Sequence, residues 1–147
     1  MTRLDRALLD KGVYPHHCAI GTRVSDLDHL GHVNNVAAGD LLQEARYRFL
    51  TQAGFVISAT QHPQLVVAAA LIEYSADLFA SEPVQVWTGI LGVGRSSFRM
   101  GQVARQGART GLYAEIVEVA RDADGATPIP DSWRSKLESL LIVTPSA

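Results

Sequence analysis

The sequence predicts an α+β domain in which one antiparallel sheet wraps around a single long helix. Two observations carry that prediction. From Asn34 to Ala53 the apolar residues Ala38, Leu41, Leu42, Ala45 and Phe49 recur at helical steps, the pattern of one buried stripe. Beyond Pro63 the period changes, and apolar, partly β-branched runs follow one another with only turn residues between them.

Each element has its own signal. Residues 1 to 12 read as a short amphipathic helix with Leu4, Leu8 and Leu9 facing inward, stopped by Gly12. A first strand follows over His16 to Val24, and Ser25 to Val33 is a polar loop. Asn34 or Asn35 stands at the N-cap of the long helix, and Gly54 closes it as a left-handed C-terminal residue. Phe55 to Pro63 is a connection. Strands are then expected over Leu65 to Ser75, Val84 to Gly92, Ser97 to Gln106 and Leu112 to Arg121. The second of these puts Val84, Val86, Thr88 and Ile90 on one face and Trp87 and Leu91 on the other. Gly107 and Gly111 separate the last two, and the spacing suggests a meander. Asp122-Ala123-Asp124-Gly125 makes a tight turn, and after Pro128-Ile129-Pro130 a closing helix runs to Leu140 with Asp131 as its cap.

Length and composition exclude several classes. A chain of 147 residues fits one domain, residues 1–147, without linker or repeat, and a domain of that size buries roughly two-thirds of its unfolded surface. Hydrophobic residues at 47% and charged residues at 19% describe a globular protein. The formal charge of -2, with scattered lysines and arginines, gives no footprint for nucleic acid. No signal-peptide core interrupts the charged N-terminus, and the longest apolar run, Leu65 to Ile72, falls far short of the ~20 residues that span a bilayer. A soluble, cytoplasmic protein that does not enter membranes is expected.

The lone Cys18 cannot form an internal disulfide, and beside Ala19 and Ile20 it reads as part of a half-buried strand, not as a nucleophile. His16, His17, His29 and His32 fit no ligand spacing, so no metal is expected. Gly89, Gly92 and Gly94 lie in a strand pattern and read as bulges, not as a phosphate loop. No cofactor is expected.

The loop before the long helix is richer in polar groups than a connection needs. Asp26, Asp28, His29, His32, Asn34 and Asn35 crowd around Gly31, next to a helix start whose free amides and dipole favour negative charge. Asp28, Gly31, His32, Val33, Asn34 and Asn35 stand in a D-x-x-G-H-V-N-N pattern, followed by Glu44-Ala45-Arg46 on the helix. Later come Ile72-Glu73-Tyr74, Gly94-Arg95-Ser96-Ser97-Phe98, and Pro128-Ile129-Pro130 with Arg134.

Together these residues resemble the hotdog-fold acyl-CoA thioesterases of the 4-hydroxybenzoyl-CoA thioesterase-like group, over about Gly21 to Leu140. The resemblance implies a hotdog fold, an antiparallel sheet of about five strands curled around the long helix. It also implies a homodimer joined edge to edge, or a homotetramer, with sites at the subunit interface. Asp28 matches the position of the family's catalytic aspartate. Relatives carry a tyrosine or another large residue where this chain has Ala38, so Ala37-Ala38-Gly39 leaves either a larger acyl pocket or a gap for another subunit.

Thioester hydrolysis requires a group that polarises the carbonyl and a group that activates water or attacks directly. Amides around Val33 to Asn35 are expected to receive the oxyanion, and Asp28 to act as base or nucleophile. The candidate catalytic residues are therefore Asp28, His32, Asn34 and Asn35, with Asp40 as the reserve acid. Asp26 reads as structural, His29 as exposed, and Glu44 as the partner of Arg48 one turn on. Arg95, Ser96 and Ser97 are the candidate substrate-binding residues, and Arg95, Arg99 and Arg105 are candidates for the coenzyme A phosphates. The expected function is acyl-CoA hydrolysis, with coenzyme A favoured over an acyl carrier protein because no basic docking patch is evident. Two alternatives stay open on the same fold: a non-catalytic acyl-CoA binding module, and a dehydratase using His32.

Overall fold

The computed structural model describes residues 4–146. Its elements are α1 (Arg6–Lys11), β1 (His16–Ile20), a single 3-10 turn at Val24–Asp26, α2 (Asn35–Gln52), β2 (Gln64–Tyr74), β3 (Val84–Val93), β4 (Ser97–Gln106), β5 (Arg109–Asp122), β6 (Gly125–Ala126) and α3 (Asp131–Glu138). All strand pairs are antiparallel, and the order across the sheet is β1-β3-β4-β5-β2, with β6 turning back onto the end of β5. Only β3, β4 and β5 form a meander. The chain carries β2 to the far edge and returns to lay β3 beside β1, so the simple meander expected from the spacing is corrected: spacing does not fix which neighbour a strand takes.

Helix α2 fills the concave side of the sheet. Asn34 caps it, its Oδ1 accepting the Ala37 N–H at 2.8 Å, and Gly54, with φ of +95°, lets the chain leave. Ala38, Leu41, Leu42, Ala45 and Phe49 are all buried against the inward residues of the strands, among them Val86, Ile90, Met100 and Ile116. Truncating Phe49 to alanine removes a fully enclosed ring, a change that typically costs about 3–5 kcal/mol.

A second, smaller cluster lies on the convex face, where Leu4, Leu9 and the C-terminal segment cover Val103, Tyr113, Trp87 and Leu91. Close approach there depends on Gly89 and Gly101, which face each other across β3 and β4. A Cβ on Gly89 would stand 2.5 Å from Ile142 Cγ1, and one on Gly101 2.8 Å from Leu9 Cδ2. Residues 140–142 also hydrogen-bond to Ile90, extending the sheet past β1. The opposite edge stays open. Among the described residues strand β2 pairs with β5 alone, and Val67, Leu71 and Tyr74 on it are exposed.

Smaller differences from the expected elements have local causes. The first strand stops at Ile20 because residues 23–26 coil into the 3-10 turn. Gly107, with φ of +60°, turns the β4–β5 hairpin, whereas Gly111 lies inside β5, where a Cβ would stand 2.5 Å from Leu78 Cδ2. Pro130 takes the N-cap position of α3, and Asp131 is its first helical residue.

Candidate active site

Asp26 closes the base of the polar loop with two different groups. Its carboxylate accepts the Arg23 N–H at 2.7 Å and the Arg23 guanidinium at 3.1 Å, while its backbone carbonyl accepts the Asn34 N–H at 2.8 Å. These bonds hold its carboxyl below the usual range, the Arg23 amide contributing most. Asp26 is 6% exposed, so it is a structural acid. Above it, Leu27 bridges Val33, and Asp28 N–H donates to the His32 carbonyl at 2.8 Å. Gly31, with φ of +81°, makes the reversal between them.

Asp28 sits at the foot of this small excursion. Its Oδ1 accepts the amides of Leu30 at 2.8 Å and His32 at 3.1 Å. These bonds, that from His32 foremost, hold its carboxyl below the ordinary range, with help from the His32 and His29 rings. Its Oδ2 has no hydrogen-bond donor among the described residues. The carboxylate is thus ionised, oriented through one oxygen and free at the other.

His32 contributes its backbone to Asp28 and its ring elsewhere. Nδ1 lies 3.4 Å from Asp77 Oδ1, and the ring stands edge-on to Phe79 at 5.1 Å between centroids. Asn34 is committed through its side chain to capping. Of the amides expected to receive an oxyanion, Val33 N–H donates to the Leu78 carbonyl at 2.8 Å and Asn34 N–H to Asp26. Both are spent on fastening the loop, which corrects the expected placement: the amides with no protein acceptor among the described residues are Asn35 and Val36. Both residues are exposed.

A cavity of about 270 Å³ opens beside the helix start, lined by Val33, Ala38, Tyr74, Leu78 and Leu112 among others. Tyr74, which the sequence reading did not single out as a site residue, reaches across to the Asn35 carbonyl, its hydroxyl donating at 3.4 Å. Asp40 lines a different groove, of about 430 Å³, with Arg23, Asp26 and Arg48. Glu44 binds Arg48 at 3.0 Å. The Cys18 thiol is pushed up by burial, as expected of a strand residue.

The substrate-binding candidates lie elsewhere. Arg95, Ser96 and Ser97 form the turn between β3 and β4, where their carbonyls accept from Ile129, Ala120 and Gly94 and Arg134 also donates to the Arg95 carbonyl. Ser97 pairs with Val119, whereas Ala104 on the same strand pairs with Leu112, the neighbour of Tyr74. The turn is therefore about 23 Å from the Asp28 end, at ~3.3 Å per strand residue. One subunit does not bring the two groups together. Arg99 is bound to Glu115 at 3.0 Å and Arg105 to Asp10 at 3.2 Å, so neither is free for phosphate.

A buried polar network under α2 was not anticipated. Gln102, fully enclosed, donates to the Leu42 carbonyl at 3.0 Å and Thr88 Oγ1 at 3.1 Å, and its Oε1 accepts from Arg46 at 3.2 Å. Glu118 faces the same side. Its carboxyl is raised by burial and partly drawn back by the Arg46 charge. The alternation of Leu112, Ala114, Ile116, Glu118 and Ala120 along β5 was the available signal, an acid on an otherwise apolar face.

The fold and chain compare closely with solved structures. A thioesterase of Thermus thermophilus, complexed with coenzyme A and zinc, is 27% identical over 86% of this chain and 93% of that chain, with a TM-score of 0.75. The PA2801 protein of Pseudomonas aeruginosa is 26% identical over 84% of this chain and 98% of that one, TM-score 0.73. A predicted thioesterase from Bacillus stearothermophilus is 24% identical over 88% and 98%, TM-score 0.79, a likeness of fold. No curated protein matches the chain. The family model of the thioesterase-like superfamily matches residues 22–137, and the chain accordingly belongs to that superfamily as a thioesterase of the hotdog fold.

Proposed function

We propose that the protein hydrolyses acyl-CoA thioesters at a site completed by two subunits, with Asp28 as the base and the amides of Asn35 and Val36 as the oxyanion donors. The observation that carries this is the pairing of an ionised carboxylate, anchored through one oxygen, with a helix start whose first two amides face no protein acceptor among the described residues. Asp28 Oδ2 takes a proton from water as the oxygen attacks the thioester carbonyl. The carbonyl electrons move to the oxygen, where the amides and the helix dipole stabilise them. Collapse expels the coenzyme A thiolate, which takes the proton back from Asp28. The free acid leaves. Coenzyme A as the carrier is supported by its presence in the Thermus thermophilus relative.

Dimerisation completes the site in this reading. Strand β2 leaves one row of backbone groups unpaired along an exposed, apolar edge. Pairing with β2 of a second copy about a two-fold axis runs the strands antiparallel, so the Gln64 end of one lies beside the Tyr74 end of the other. The turn carrying Arg95 of the partner subunit then shares the end of the sheet that holds Asp28. Arg95 supports a role toward phosphate because its guanidinium has no protein partner among the described residues. His32 serves as a positioning residue through its backbone. The dehydratase alternative would use the His32 ring, whose Nδ1 lies 3.4 Å from Asp77 Oδ1 and whose Nε2 has no partner among the described residues; hydration of an enoyl-CoA without thiol release would identify it.

The test is release of free thiol from a panel of acyl-CoAs. Wild type releases coenzyme A from at least one acyl class, and Asp28→Asn lowers kcat by about 10²–10⁴, the range of a positioned general base. If Asp28→Asn keeps most of its activity while Asp40→Asn loses it, the assignment to Asp28 is wrong. Ligand-induced melting shifts without thiol release would identify a binding module instead.

A further inference from the structure

Tyr74 ends β2, and the sheet fixes its main chain: it stands opposite Leu112 of β5, and the next amide, Ser75 N–H, donates to the Gly111 carbonyl at 2.8 Å. From that base the side chain leans over the mouth of α2. It lines the cavity beside Val33 and Ala38, and its hydroxyl donates to the Asn35 carbonyl at 3.4 Å, the one hydrogen bond the hydroxyl makes among the described residues. The residue is 55% exposed and belongs to neither apolar cluster, so the core does not need it. The helix does not need it either. A carbonyl in the first turn already accepts the amide one turn on, and the tyrosine takes its second lone pair.

The hydroxyl reaches one half of a rigid unit. The Asn35 carbonyl and the Val36 N–H share one planar trans peptide, so whatever turns the carbonyl turns the N–H with it. In a helix the carbonyl faces along the chain and the N–H faces back out of the mouth, where the first turn leaves it without an internal acceptor. A donor on the carbonyl also polarises the amide, which strengthens its N–H as a donor on the other side. We propose that Tyr74 is a positioning residue for thioester hydrolysis, its hydroxyl aiming and polarising the Val36 amide that receives the oxyanion. The proposal rests on the reading above, in which Val36 is one of the two donors. The contact is long for an O–H···O bond, as catalytic contacts without substrate commonly are, and it shortens as charge builds on the oxyanion. This role depends on the oxygen and not on the ring. It acts on the carbonyl, which every acyl-CoA shares, and not on the acyl group.

The experiment is Tyr74→Phe, assayed by thiol release against each acyl-CoA that wild type hydrolyses, with single-turnover rates to keep product release from masking the chemistry. The variant keeps the ring and loses the donor. The expected result is a fall in kcat of about three- to tenfold, the size of one neutral hydrogen bond, with KM within about twofold of wild type because the contact counts only as charge develops. The factor should agree within about twofold from one acyl group to the next, for the same reason. Tm and the mass in light scattering should match wild type. An unchanged kcat overturns the proposal. So does a loss that appears in KM or changes with the acyl group, which would make Tyr74 a wall of the cavity, and so does a loss that travels with a lower Tm or mass, which would make it a structural strut. Each of these leaves hydrolysis standing. Failure of wild type to release thiol from any acyl-CoA overturns the hydrolase reading and this inference with it.

Discussion

Replacing Asn34 by alanine tests how the loop and helix share one residue. The side chain makes a single bond, from Oδ1 to the Ala37 N–H at 2.8 Å, while the backbone N–H stays on Asp26. The substitution therefore removes the cap without cutting the loop's staple. Loss of an asparagine cap costs about 1 kcal/mol, with a range of about 0.5–2. For a domain of this size that corresponds to a fall in Tm of about 2–4 °C. Asn34→Asp should keep the melting temperature, because aspartate caps as well and adds a charge favourable to the helix dipole. Catalysis should respond more strongly than stability. The proposed donors, Asn35 and Val36, are the next residues, so a frayed first turn misdirects both amides and kcat falls about tenfold or more. Calorimetry at fixed protein concentration and thiol release at saturating substrate separate the two effects. An Asn34→Ala protein with unchanged Tm and unchanged kcat would refute the idea that this cap holds the helix mouth in place.

Further outcomes follow from other parts of the molecule. The low carboxyl of Asp28 places the acid limb of kcat/KM below the ordinary carboxylate value of about 3.9, so activity should stay level from neutral pH down to about pH 5. The same shift stabilises the fold above the unfolded pKa, a contribution lost as pH falls through the folded one and absent in Asp28→Asn. Glu118 has the opposite sign: its raised carboxyl favours the fold below the unfolded value of about 4.3, and that advantage is lost as pH rises through the folded pKa. Glu118→Gln should therefore melt higher than wild type at pH 7, with the gap closing toward pH 4. If two copies pair through β2 as proposed, Val67→Lys on the open edge should shift the protein toward monomer in light scattering and depress activity with it. Gly101→Val, forced against Leu9 and Ile142, should cost about 1–3 kcal/mol in denaturant unfolding.

Much of the fold was legible because it is written locally. The helical period of α2 and the alternation of Val84, Val86, Thr88 and Ile90 each follow from neighbours in the chain, and the structure buries those residues as the pattern requires. The position of β2 at the far edge was not legible, since pairing with β5 is decided by the whole sheet. The site shows the same division. Asp28 stood out by its motif, and Asn34 by the cap chemistry of its residue type. Which amides remain unused depended on the Asp26 and Leu78 carbonyls, whose approach no local pattern announces. Glu118 broke the apolar rhythm of β5 in plain view, yet only the Arg46 charge brought near it gives that break a meaning.

The loop that carries Asp28 is shut off from the core by its own base: the Leu27 to Val33 bridge and the Asn34 to Asp26 bond lie beneath everything above them. Changes at His29 or Leu30, both at the tip, therefore transmit little strain to the helix or the sheet. That seclusion makes the tip a natural place for grafting, where short substitutions can reshape what greets an incoming substrate while the framework beneath remains undisturbed.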